Sequence, residues 1–203
     1  MEFQEDMQRL VVFDVGGVLV ELTGMSDLVE WTGLNPDEVR DRWVHLDVVK
    51  SFESGAISYE EFGPKVIAEL GLPLTVDTFR EVFRGWMGEL LPCAEALVAA
   101  AKRRNPVACL CNMNTVQWPE IRDRLGVESW FDHAFISYEI GMVKPDKEVY
   151  EHVGQRIGFS PERVVFFDDT RANVDSALAC GWSAHLTRGT GELRRKLVAL
   201  DLV

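Results

Sequence analysis

Apolar residues follow two kinds of pattern along this chain. The first is a short unbroken run. Leu10-Val11-Val12-Phe13 is apolar throughout and ends on Asp14, with Gly16 and Gly17 just beyond. A run this short, rich in Val and Phe, predicts a strand buried on both faces. Similar runs lie at 106–111 before Asn112, at 133–137, at 163–167 before Asp168 and Asp169, and at 182–186. The second pattern has helical spacing and fills the gaps, over 93–104, 115–125, 145–157, 172–180 and 189–200. Val149, Val153 and Ile157 mark one buried helical face, and Val174, Ala177 and Leu178 another; Gly126, Gly158 and Gly181 follow as stops. This alternation predicts an α/β protein with a Rossmann-like parallel sheet and helices on both faces.

Residues 21–91 break the alternation. No strand pattern is visible there, and four helices are predicted instead. Ser26 caps a short one through Trp31, stopped at Gly33. Asn35, with Pro36 and Glu38 after it, caps a longer one ending at Gly55. Ser58 and Glu61 form the capping-box pair of the third, which Gly63-Pro64 should interrupt or kink before Gly71. Thr75 or Asp77 opens the fourth, with Phe79, Val82, Phe83 and Trp86 on one side. A connection this long implies a subdomain of its own. The expected organisation is therefore a core of 1–20 and 92–203 with an inserted four-helix cap at 21–91.

In a parallel sheet the carboxyl ends of all strands share one edge, where such sheets bind ligands. Asp14, Asn112, Lys144, Asp168 and Asp169 should therefore meet. Three carboxylates at one place repel one another unless a cation sits between them. Carboxylates with a backbone carbonyl, here that of Gly16, form the hard-oxygen set that Mg²⁺ prefers. Lys144 adds a point charge, and Asn112 with nearby backbone N–H groups adds donors, so the edge suits a phosphoryl group attacked by Asp14. Taken singly, Asp14 could be a loop acid, Asp168-Asp169 could cap a helix, and Cys111 reads equally well as core or site.

The net charge of −12 disfavours nucleic acid and anionic membranes as partners. No apolar stretch is long enough to span a bilayer. The acidic, polar start does not read as a signal peptide. Cys93, Cys109, Cys111 and Cys180 include no CxxC pair, and a reducing, cytoplasmic setting is expected. Trp43 or Trp86 could face a substrate, but the pattern selects neither.

Four segments in order resemble the motifs of the haloacid dehalogenase-like hydrolases: Phe13-Asp14-Val15-Gly16-Gly17-Val18, Leu110-Cys111-Asn112-Met113-Asn114, Val143-Lys144-Pro145-Asp146, and Phe166-Phe167-Asp168-Asp169-Thr170-Arg171-Ala172-Asn173. Motif one looks most like the sugar-phosphate phosphatase branch that includes glucose-1-phosphate phosphatase. The resemblance implies a Mg²⁺-dependent phosphatase of small phosphorylated metabolites, sugar phosphates among them, working through an aspartyl-phosphate on Asp14. By it, Asp14 and Lys144 are catalytic. Asp14, Gly16, Asp168 and Asp169 hold the metal. Gly16, Cys111, Asn112, Met113 and Lys144 bind substrate. Asn173 stands where the family often has an acid or amide.

Two positions depart from the family pattern. Gly16 replaces the Asp that serves as general acid and base, and Cys111 stands where Ser or Thr is usual. They motivate one alternative, a silent binding or regulatory protein on the same fold; the other, from the same family fold, is a 2-haloacid dehalogenase, which needs no Mg²⁺ and would leave Asp168-Asp169 hard to explain. The sequence gives no oligomeric state.

Overall fold

The computed structural model describes residues 8–203. The acidic start at 1–7, read above against a signal peptide, lies outside the described residues. Among the described residues, a five-stranded parallel sheet is built from β1 (Leu10–Phe13), β4 (Val107–Cys111), β5 (His133–Ile136), β6 (Val164–Asp168) and β7 (Ser183–Leu186). Their order is β5-β4-β1-β6-β7, with β1 central; Val12 is in register with Ala108 on one side and Phe166 on the other. The chain leaves β1 to one side for β4 and β5, then crosses back to β6 and β7. The crevice at that reversal opens beyond the ends of β1, β4 and β6.

The period-two alternation of the strands sorts their side chains into two cores. Val11, Phe13, Cys109, Cys111, Val165 and Phe167 face Val98 of α6 (Ala94–Lys102), Trp118 and Ile121 of α7 (Gln117–Leu125), and Leu193 and Leu197 of α11 (Gly189–Ala199). Leu10, Val12, Ala108, Leu110, Val164 and Phe166 face Val149 and Val153 of α9 (Lys147–Ile157) and Val174 and Ala177 of α10 (Arg171–Ala179). Leu178, expected in that core, is 49% exposed. Val174 and Ala177, three apart, already fill the sheet-facing side of α10, and the next residue turns outward.

The insert differs from the sequence reading in three ways. First, it holds five helices among the described residues: α1 (Gly24–Thr32), α2 (Pro36–His45), α3 (Asp47–Glu53), α4 (Tyr59–Leu70) and α5 (Val76–Arg84). The long helix expected from Asn35 to Gly55 breaks at Leu46, whose φ of −71° and ψ of 121° are extended. The break lets α3 turn so that Val48, Val49 and Phe52 are all buried in the insert's own core. Secondly, Gly63-Pro64 does not end α4, which runs through it. A proline removes one bond there, and buried Phe62 and Val66 on either side hold the turn. Thirdly, the ends of the insert form an antiparallel ribbon of β2 (Val20–Leu22) and β3 (Met87–Leu90) that sequence reading missed. Strands of three and four residues are too short to show a period.

Two of the helix caps were legible, but Ser26, expected to cap the first insert helix, lies inside α1, which begins after Thr23, and its hydroxyl donates to Thr23 O. Asn35 and Ser58 each complete a capping box, with Glu38 and Glu61 respectively. The insert is centred on aromatics: contacts between neighbouring rings link Trp43, Phe52, Phe62, Phe79, Phe83 and Trp86 into one cluster, with the Phe52 and Phe62 rings stacked at 4.3 Å. Lys50–Asp146 and Arg188–Asp37 ion pairs, each 2.9 Å, join the insert to the sheet side.

Candidate active site

Asp14 follows β1, and its backbone N–H continues the sheet ladder by donating to Phe167 O at 2.8 Å. Its Oδ1 accepts from Val15 N at 2.8 Å and lies 3.1 Å from Lys144 Nζ. Asp168 closes β6 and has no exposed surface. Its Oδ2 accepts from Lys144 Nζ at 2.7 Å, and its Oδ1 accepts from Thr170 N at 2.8 Å. Asn173 Nδ2 lies 3.1 Å from both oxygens. Lys144 arrives from the loop before α9, where its peptide with Pro145 is cis, and its third donor goes to Leu110 O at 2.8 Å. One ammonium thus bridges the ends of β1, β4 and β6, with 1% of its surface exposed.

Asp169 lies beside this pair. Oxygen atoms of Asp14, Asp168 and Asp169 fall within 4.8 Å of one another. Gly17 makes the close approach possible. Its φ is +70°, and a Cβ there would stand 2.3 Å from Asp169 Oδ2. Gly17→Ala is therefore expected to push the Asp169 carboxylate aside, on top of the strain of a left-handed alanine. Isothermal titration should then show Mg²⁺ affinity lowered by at least about tenfold, the loss typical of disturbing a ligand's support. Unchanged affinity would mean that Asp169 does not contact the ion.

The charges explain why this cluster needs a cation. Burial, opposed by Lys144 and reinforced by Asp168 and Asp169, pushes Asp14 up to about 8. Burial and the Asp168 charge push Asp169 up to about 6, against the pull of Arg40. For Lys144 burial works against the charge, but Asp14 and Asp168 outweigh it and hold the ammonium well above the usual lysine range. Three acids share one ammonium and one guanidinium. Asp169 Oδ2 is 2.8 Å from Arg40 Nη2, yet that contact is not aligned as a hydrogen bond, so the buried oxygen has no donor; Arg40 Nε and Asn173 Oδ1 are buried without partners as well. Orphaned buried polar atoms around clustered carboxylates fit a hard divalent cation.

The other predicted residues divide. Gly16 and Met113 line the cavity beside Asp14 and Lys144. Asn112 lines it too, but its amide is engaged by the backbone: Oδ1 accepts from Lys144 N at 2.9 Å and Nδ2 donates to Lys144 O at 2.8 Å. The Asn112 side chain thus holds the lysine loop through Oδ1 and one of its two Nδ2 protons, which leaves the second proton on the cavity side. Cys111 is not on the cavity wall. Its side chain joins Cys109 in the core under the sheet, as strand alternation dictates, and burial raises its thiol well above the usual range. Trp43 and Trp86 both line the cavity.

Sequence reading missed Arg40 and Glu53, which the insert contributes to the cavity wall from α2 and the end of α3. It also missed two fasteners. Gln117 Nε2 donates to Phe83 O at 2.9 Å, linking α7 to α5. Ser137 Oγ accepts from Met113 N at 2.9 Å and lies 2.5 Å from Glu53 O and 2.9 Å from Met113 O, either of which takes its proton.

A family model described as haloacid dehalogenase-like hydrolase matches residues 8–181. The chain belongs to this family. Among similar proteins, the D-ribitol-5-phosphate phosphatase of Bacteroides thetaiotaomicron is 21% identical, over 96% of this chain and 98% of its own length. The sesquiterpene phosphatase astK of Aspergillus oryzae is 30% identical, over 88% of this chain and 90% of its own. A crystal structure of a B. thetaiotaomicron family enzyme in complex with magnesium and inorganic phosphate is similar in fold, with a TM-score of 0.67 at 21% identity, covering 88% of this chain and 93% of that one. Among the described residues, no helix is long and apolar enough to cross a membrane.

Proposed function

We propose that this chain is a Mg²⁺-dependent phosphoric monoester hydrolase of small phosphorylated metabolites, with Asp14 as nucleophile. The observation that carries the reading is the meeting of Asp14, Lys144, Asp168 and Asp169, from three separate segments, with Asp14, Lys144 and Asp169 lining a cavity that the insert helps to wall and Asp168 buried just behind them. Asp14 attacks phosphorus, the ester bond breaks, and an aspartyl-phosphate forms; water then cleaves the new bond and frees Asp14. Asp14, Asp169, the Gly16 carbonyl and, directly or through water, Asp168 would hold the ion. When bound it neutralises charge on the transferring group, where most phosphoryl-transfer catalysis arises. Lys144 holds Asp14 in place and adds positive charge beside it. Residues 21–91 serve as the cap that shuts out water. The phosphatase relatives named above support the reaction class, and sugar phosphates head the substrate list because of motif one.

A panel of phosphorylated metabolites tests this reading. With Mg²⁺ we expect phosphate release from at least one sugar or polyol phosphate, abolished by a chelator. Undiminished release with chelator present would overturn the metal assignment, whereas halide released from a 2-haloacid without Mg²⁺, with no phosphate from the panel, would favour the dehalogenase alternative. Release from none of the panel would favour the silent binding protein.

A further inference from the structure

An alkoxide leaving from phosphorus needs a proton, and position 16 is a glycine with none to give. The cavity wall narrows the choice of donor. Its ionisable side chains are Asp14, Arg40, Glu53, Lys144 and Asp169. Asp14 is the attacking group, and Asp169 belongs to the carboxylate cluster suited to the cation. An arginine does not release its proton. Lys144 is locked in three bonds and held cationic by Asp14 and Asp168. Glu53 remains.

We propose that Glu53, carried on the cap, is the general acid and base of this hydrolase. The proposal rests on the phosphatase reading above. In the first step Asp14 bonds to phosphorus, the ester P–O bond breaks, and the leaving oxygen takes the Glu53 proton. In the second step water bonds to phosphorus, the bond to Asp14 breaks, and the proton lost by water returns to Glu53. The net reaction is ester plus water to alcohol plus phosphate, and Glu53 ends as it began.

The position is built rather than incidental. Glu53 is the last residue of α3, and its carbonyl oxygen is fixed to the core by Ser137 Oγ at 2.5 Å. Its Oε1 accepts from Trp43 Nε1 at 3.3 Å. That indole is wedged against Phe62, Phe83 and Trp86, with ring centroids 6.3, 6.1 and 5.5 Å away. The groups facing the carboxyl from the core side are Lys144 and the Asn112 amide. Burial raises Glu53 to about 7, while the Trp43 N–H, Lys144 and Asn112 pull the other way. Near neutral pH the group therefore carries its proton about half the time, as a residue serving both steps requires.

The experiment is rapid-quench measurement of first-turnover leaving-group release with Mg²⁺, comparing ethyl phosphate with p-nitrophenyl phosphate. Nitrophenolate leaves without a proton and ethoxide does not. In Glu53→Gln, which keeps an oxygen for the Trp43 N–H, the ratio of ethanol to nitrophenol release should fall by about 10²–10⁴-fold. Wild-type ethanol release should decline above pH 7 as Glu53 loses its proton, and that limb should vanish in the variant. With the second step also slowed, p-nitrophenyl phosphate should give a burst approaching one nitrophenol per site. Glu53→Asp, with its carboxyl drawn back, should fall between the two. An unchanged ratio with a retained pH limb would overturn the proposal and leave the phosphatase reading standing. A wild-type protein inert toward both esters would overturn the phosphatase reading, and this one with it.

Discussion

Asp14→Asn is expected to remove turnover almost completely, with kcat falling by about 10⁴-fold or more, as when a nucleophile is lost from a concerted site. The amide keeps the shape and can still accept from Val15 N, so the fold should survive. The metal-free variant should even melt at or above wild type at pH 7.5. A carboxyl raised in the folded state from 3.8 to about 8 binds more protons there than in the unfolded chain. Stability therefore falls as pH climbs between those values, and a neutral side chain escapes the penalty. Steady-state assays and thermal melts in chelator check both halves. Retained turnover would sink the nucleophile assignment.

Lys144→Met should have the largest effect on stability. It removes the ammonium that Asp14 and Asp168 share at 3.1 and 2.7 Å and leaves both acids buried without it. Breaking a buried pair from one side costs about 3–5 kcal/mol. In wild type, a lysine held above its usual range stabilises the fold fully at neutral pH, and that contribution is lost only as pH rises past the lysine range. In the variant Asp14, already raised by burial, loses the Lys144 charge that pulls it down, so the deficit should grow from pH 5.5 to pH 8 and shrink when Mg²⁺ is added. Urea titrations at the two pH values measure it. A loss below about 1 kcal/mol, within the range of an exposed pair, would mean that the bridge is not what holds these strand ends together.

The sheet was legible because each of its strands is a contiguous apolar run ending in a polar residue. The side chains after β1 and at the end of β6 inherit their position from that pattern alone, which is why Asp14, Asp168 and Asp169 could be named early. The cap was harder. Its helices announce themselves through Asn35 and Ser58, but the break at Leu46 serves the packing of Val48, Val49 and Phe52, and no local residue signals it. Arg40 and Glu53 were invisible for the same reason. Each is an ordinary charged residue at a helical position, and only the folding of the cap onto the sheet turns it toward the cavity. For Cys111 the strand end was right and the side chain's direction was not, because alternation sends the thiol into the core. For Asn112 the place was legible, but its bonds to the loop it supports were not.

The Ser137 hydroxyl has one proton and two carbonyls within reach, Glu53 O across the seam and Met113 O on its own side. If α3 lifts, that proton swings home to Met113, while the freed Glu53 carbonyl meets water. No polar group is stranded in either posture. The fastening therefore adds little resistance of its own to admitting a reactant or releasing a product, and closing restores the proton donor and its anchor in a single motion.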